Sequence, residues 1–209
     1  LGVLGYQYAK QVGEDLKDPA VQETKVKDVL GTDSLPTGYY PRLSVSIPFL
    51  MGMAILSDRE RTQAEDEPHR RPFDHRAFIY MIMIGGEKQR REQKDFFEGR
   101  SRNPNIFGQQ GFNVRSGDLI RRGAVEVGDV RVLYVAERGS VDFNNDEAEG
   151  VTALLMPECP NQSRNRIGIW FGPDPDPTAS VQTADFTGSP ADEAALRAFL
   201  GHFDLCRKE

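Results

Sequence analysis

Apolar residues never run far enough in this chain to reach the roughly 18 positions that a membrane-spanning helix requires, so the sequence as given contains no such helix. Cysteine is scarce. Cys159 and Cys206 are the whole supply, which excludes a dense disulfide scaffold and any multi-cysteine zinc site. An excess of positive charge is missing as well: the 209 residues carry a formal net charge of −6. Basic side chains are interleaved with acidic ones, as in EKQRREQKDFFEGRSR, where Glu87, Glu92, Asp95 and Glu98 share the segment with Lys88, Arg90, Arg91 and Lys94. This reads as a solvated helix face, and it lacks the basic surface that neutralises phosphates, so no nucleic-acid partner is expected. There is no Gly-x-Ser-x-Gly elbow, and Gly85-Gly86 lacks the further glycines and the lysine of a phosphate loop. No cofactor is implied.

What is present is a patterned chain of a length that supports one sizeable core. Leu4, Tyr8, Val12 and Leu16 recur every four residues and predict an amphipathic helix. Asp18 and Pro19 then form a fresh cap and first turn for a second helix ending at Gly31. Leu43, Val45 and Ile47 alternate with Ser44 and Ser46, as a half-buried strand does. Two continuous apolar runs follow, Ile47 to Leu56 and AFIYMIMIGG, separated by the polar loop DRERTQAEDEPHRRPFDHR. Continuous runs imply strands buried on both faces, so they are expected as neighbours in one covered sheet, with Phe49 to Leu56 buried. The charged helix stops at Gly99, a hairpin turns at Gly128 and Asp129, and further strands are expected at VTALLMP and NRIGIWFG before the loop PDPDPT. In the last helix, Ser189 is the expected cap and Asp192 completes a capping box, with Leu196, Phe199, Leu200 and Phe203 as the apolar stripe.

Few residues point to chemistry. His69 and His75 lie in the polar loop with Asp66, Glu67 and Asp74, where a metal site or an acid/base pair could be drawn, but a loop with two prolines offers no rigid spacing for ligands. Asp142, Asn144 and Asp146 have the alternate spacing of a calcium loop; Glu147 stands where the glycine belongs and Ala153 where the glutamate belongs, so an acidic turn between strands is expected. Trp170 and Phe171, at a strand end beside a proline-rich loop, either line a ligand pocket or form the edge of the core. His202 lies four residues before Cys206, which on a continuous helix would place both on one face. Cys159 and Cys206 either pair, if the domain is exported, or are two unrelated buried thiols; a bond across their 47-residue separation would stabilise the fold by about 4 kcal/mol in the chain-entropy model.

The order of elements, with LPTGYYP leading into a sheet and DEAALRAFLGHFDL as the closing helix, resembles the PsbP-like superfamily of photosystem extrinsic subunits and bacterial lipoproteins. The resemblance implies an α+β fold, a three-layer α/β/α sandwich around a mainly antiparallel sheet, acting as an assembly or interaction module at a membrane. It supplies no catalytic, cofactor or metal residue, and the N-terminal helices and the long charged loop depart from its pattern.

These readings divide the chain into a helical segment, 1–31, and an antiparallel sandwich domain, 32–209. A start at Leu1 with the small apolar residues LGVLGYQYAK implies a fragment or processed product that follows a missing signal or membrane anchor. The leading expectation is a non-enzymatic binding or assembly domain of a membrane-anchored bacterial envelope protein. It would sit on the periplasmic or extracellular face, contact the membrane only through the missing anchor and take a protein partner; a cytoplasmic placement is the alternative. A hydrolase or ligand-processing enzyme using Asp74 and His75 is the second reading, and a small-molecule carrier with Trp170 and Phe171 at its mouth the third.

Overall fold

A computed structural model of the chain describes residues 18–47, 50–60, 73–101, 112–143, 146–160 and 164–207. It has a mixed α+β fold: seven strands in one sheet, with every neighbouring pair antiparallel, and three helices. The expected helix at Leu4 to Leu16 and the calcium-like tip at Asn144 lie outside the described residues.

Helix α1, Pro19–Leu30, starts as its sequence predicts: the Asp18 carboxylate accepts from the amides of Ala20 and Val21. Gly31 ends it in the left-handed region at φ 63°, and a Cβ there would also press to 2.8 Å from the Asp204 Cβ, so both backbone and space require glycine. Strands β1, Tyr40–Ile47, and β2, Met51–Ser57, form a hairpin, and β3, Ala77–Ile84, pairs with β2. The two apolar runs are therefore sheet neighbours as expected.

The first run is not one strand, however. It straddles the hairpin turn: Ile47 pairs with Met51, the Leu50 amide returns to the Ile47 carbonyl at 3.0 Å, and Leu50 is 56% exposed. The reversal between Ile47 and Met51 outweighs the apolar composition; Pro48 and Phe49 lie outside the described residues. Of the stretch expected to be buried, Met51 and Met53 are half-buried, and Gly52, Ala54, Ile55 and Leu56 are buried.

From β3 the chain passes through helix α2, Glu87–Phe97, to the far edge of the sheet. It then meanders back through β4, Phe112–Val127, β5, Val130–Phe143, β6, Asp146–Glu158, and β7, Arg164–Gly172, which closes on β3. The β4–β5 turn falls at Gly128, φ 61°, as its sequence predicts. Helix α3, Glu193–Leu200, follows the proline-rich loop. Its cap is Asp192 rather than Ser189, because the Asp192 carboxylate reaches the Ala194 amide on one oxygen and the Gly188 amide on the other, both at 2.9 Å. Ser189 instead donates to the Phe186 carbonyl and accepts from the Ala191 amide.

Alternation along the strands sorts the core into two main clusters. Leu56, Phe78, Tyr134, Leu155 and Trp170 pack with Val26 and Leu30 of α1 and Leu196, Phe199 and Leu200 of α3. Ile55, Ile79, Val135, Leu154 and Ile169 pack with Phe96 and Phe97 of α2. Each large side chain removed from water in this way contributes about 1.5–3 kcal/mol. Cys159, just past β6, is bonded to Cys206, with Cα atoms 5.4 Å apart. The C-terminal segment is further held by the Tyr80 hydroxyl, which donates to the Leu205 carbonyl at 2.5 Å.

Candidate functional site

Trp170 and Phe171 are adjacent in sequence and point to opposite faces of the sheet, as strand geometry requires. Phe171 packs on Phe73, ring centroids 5.4 Å apart, in a small buried cluster with Ala77, Val141 and Ala148. Trp170 is both core and wall. It is 7% exposed, stacks on Phe199 at 4.4 Å with rings nearly parallel, and donates its indole N–H to the Tyr39 hydroxyl at 2.7 Å. Tyr39, Trp170 and Phe199 line a groove of about 560 Å³ at the end of β7, flanked by Pro36, Pro173 and Pro175.

Several groups around this groove are engaged in holding the fold, while the exposed Arg76 also lines it. Burial raises the Tyr39 phenol above its ordinary value, against the opposing hydrogen bond from Trp170, so it keeps its proton at neutral pH. His202 Nδ1 lies 3.0 Å from the Ala198 carbonyl at the end of α3. Asp174 is ion-paired with Arg138 of β5 at 2.6 Å, and the same guanidinium donates to the carbonyls of Ala179 and Asp176 and lies over the Phe186 ring at 5.2 Å. Arg138 thereby fastens the proline-rich loop to the sheet and fixes the groove wall.

Asp74 and His75 stand elsewhere, exposed at the base of the polar loop. Their backbone amides donate to the two oxygens of Asp58, at 3.0 and 2.8 Å, and the Asp74 carboxylate lies 3.9 Å from Arg59. Ser57, beside Asp58, is fully buried, and its hydroxyl is taken up by the backbone of Arg59. Asp58 is the residue that organises this loop base, a role its position at the end of an apolar run did not announce. His69, Asp66 and Glu67 lie outside the described residues. Among the described residues, no group of three or more His, Cys, Asp or Glu side chains converges as a metal site.

Cys159 and Cys206 are paired, as one of the two sequence readings expects. His202 and Cys206 do not share a helix face, since α3 ends at Leu200 and the chain turns at Gly201. No helix among the described residues is long and apolar enough to cross a membrane. Compared with known proteins, the chain matches no family model, and no curated protein is significantly similar to it.

Proposed function

We propose that the chain is a non-enzymatic binding or assembly domain that works outside the cytoplasm, at an envelope membrane, with the α/β/α layering that the PsbP-like resemblance implies. The observation that carries the binding reading is the Tyr39–Trp170–Phe199 groove. Its floor is aromatic, its flanks are proline, and the Trp170 indole and Asp174 are committed to structural bonds, which suits holding an apolar group. The Cys159–Cys206 bond supports the compartment, because such bonds persist where the surroundings are oxidising. The two buried clusters, on opposite sides of the sheet, support the layering. A small-molecule carrier is the second reading, favoured by the groove's volume, which falls within the range of small-ligand pockets.

Trp170 is the single tryptophan of the chain, so its emission reports on the groove alone. An apolar fluorophore such as anilinonaphthalene sulfonate is expected to bind at one saturable site and quench Trp170. Ala198→Arg, an exposed position of α3 that lines the groove, is expected to abolish both effects while leaving the unfolding midpoint unchanged. Equal binding and quenching in the variant would remove the groove from consideration.

A further inference from the structure

The Trp170 groove has an aromatic floor, but its lining is not wholly apolar, because Arg76 meets it from the β3 side. Arg76 stands one residue ahead of β3, and by the two-residue period of strands it falls on the face of Phe78, whose partner across the ladder is Trp170. Its backbone is placed: the Asp58 amide donates to the Arg76 carbonyl at 3.1 Å. Its side chain is exposed, and among the described residues no ion pair engages it.

The nearby acids are spent on other partners. Asp58 gives one carboxylate oxygen to the Asp74 amide and the other to the His75 amide, and Asp74 itself faces Arg59. Asp174, the sole carboxylate lining the groove among the described residues, is held by Arg138 at 2.6 Å. The Tyr39 phenol senses the balance. Burial dominates its raised pKa, the Trp170 bond and then Arg76 oppose the rise, and the pull of Arg76 outweighs the push of Asp58. These two charges therefore leave the field at the Tyr39 wall positive, in a chain whose net charge is −6.

The groove thus combines an apolar floor with one uncommitted cation, and both narrow the ligand. A hydrocarbon body suits Tyr39, Trp170 and Phe199, and a single negative charge suits Arg76. A guanidinium presents paired donors that match a planar carboxylate. A phosphate monoester brings close to two negative charges to a single cation, and an amine is repelled by it.

We propose that the Trp170 groove takes a free small molecule with a hydrocarbon body and one carboxylate, the body lying on the aromatic floor and the carboxylate on Arg76. This rests on the reading of the groove as the binding site and names the class of ligand that it selects. The groove's volume of about 560 Å³ suits a molecule of that size.

The test is calorimetric titration of the whole oxidised chain with phenylbutyrate, octanoate, phenylbutyramide, phenylbutylamine and phenyl phosphate. Both acids are expected to bind saturably at one site, with the neutral amide weaker by about threefold or more, the scale of an exposed ion pair. The amine should bind more weakly still, and phenyl phosphate no more tightly than the acids. The tighter of the two acids assigns a ring or a chain as the body. Added salt should weaken the acids more than the amide, because an exposed charge is screened. Arg76→Gln is expected to bring phenylbutyrate down to the affinity of the amide, and Arg76→Lys, which keeps the charge, to lose less. The position is exposed and outside the strand, so both variants should keep the parent unfolding midpoint. Acid and amide binding equally well to the parent chain, and both lost in Ala198→Arg, would overturn the selection by Arg76 and leave the groove as the binding site. Acids that bind Ala198→Arg as well as the parent would overturn the groove and this inference together. Failure of both acids to bind at millimolar concentration, or tighter binding of phenyl phosphate or the amine, overturns the proposal, and binding of the apolar fluorophore then shows whether the groove itself survives.

Discussion

The indole N–H of Trp170 donates to the Tyr39 hydroxyl in a buried setting where water cannot take over. Tyr39→Phe keeps the ring and its contact with Phe199, centroids 5.0 Å apart, and removes only the acceptor. The expected result in urea unfolding is a loss of about 1–3 kcal/mol, the cost of a stranded buried donor, together with a changed Trp170 emission. Neither Tyr39 nor this bond is legible in the sequence, because it joins residues 131 apart. Asn165 is different: it alternates in register with Ile167 and Ile169, so strand period alone marks it as a polar residue on a buried face. Gln93, one turn before Phe97, carries the same signal at helical spacing.

At the scale of elements, local chemistry decided most boundaries. Asp18, Pro19 and Gly31 frame α1, Gly99 at φ 77° ends the turn after α2, and Gly128 makes the β4–β5 turn, all as expected from residue type. Competing signals caused the misses. Apolar composition alone suggested a single strand through Leu50, where the turn between Ile47 and Met51 prevails. At α3 two cap residues competed, and the one nearer the helix won because its carboxylate reaches amides on both sides. Asp192→Ala is therefore expected to cost about 1–2 kcal/mol in urea unfolding at neutral pH. The Gly188 amide, ahead of opposing burial and the further amides of the first turn, holds the Asp192 carboxyl below its ordinary pKa. Its charge thus adds stability above the unfolded value near about 3.9, and that contribution is lost as the pH falls through the folded value. The stability gap between the parent chain and Asp192→Asn should shrink on acidification; a gap that stays constant would refute the role of the charge.

For the molecule as a whole, the C-terminal segment acts as a clasp. Cys206 is bonded to β6's end, Leu205 accepts from Tyr80 of β3, and the Asp204 amide donates to the Gly31 carbonyl after α1, at 3.2 Å. Replacing both Cys159 and Cys206 by serine is expected to lower the unfolding free energy by about 4 kcal/mol, the value for a loop of this length, and reductant should have the same effect on the parent chain. Denaturant titration with and without reductant measures both. The pairing of the two cysteines was an open alternative in the sequence, since spacing alone does not say which residues approach. What the sequence made legible was local: helix ends, strand period and turns. What it hid was the sheet order, which depends on contacts between distant segments.

That order, β1-β2-β3-β7-β6-β5-β4, has a kinetic consequence. Five of its six ladders join strands that follow one another along the chain, whereas the sixth brings Ala77 to Phe171. Closing so long a loop costs entropy before any contact rewards it, and non-local pairing of this kind slows folding. The molecule therefore consists of two meanders that can form early and a single seam that forms late. Until it closes, both β3 and β7 present bare apolar edges, which are templates for pairing with other chains. Refolding yield should accordingly fall with protein concentration, and the seam, rather than either meander, is where misassembly would begin.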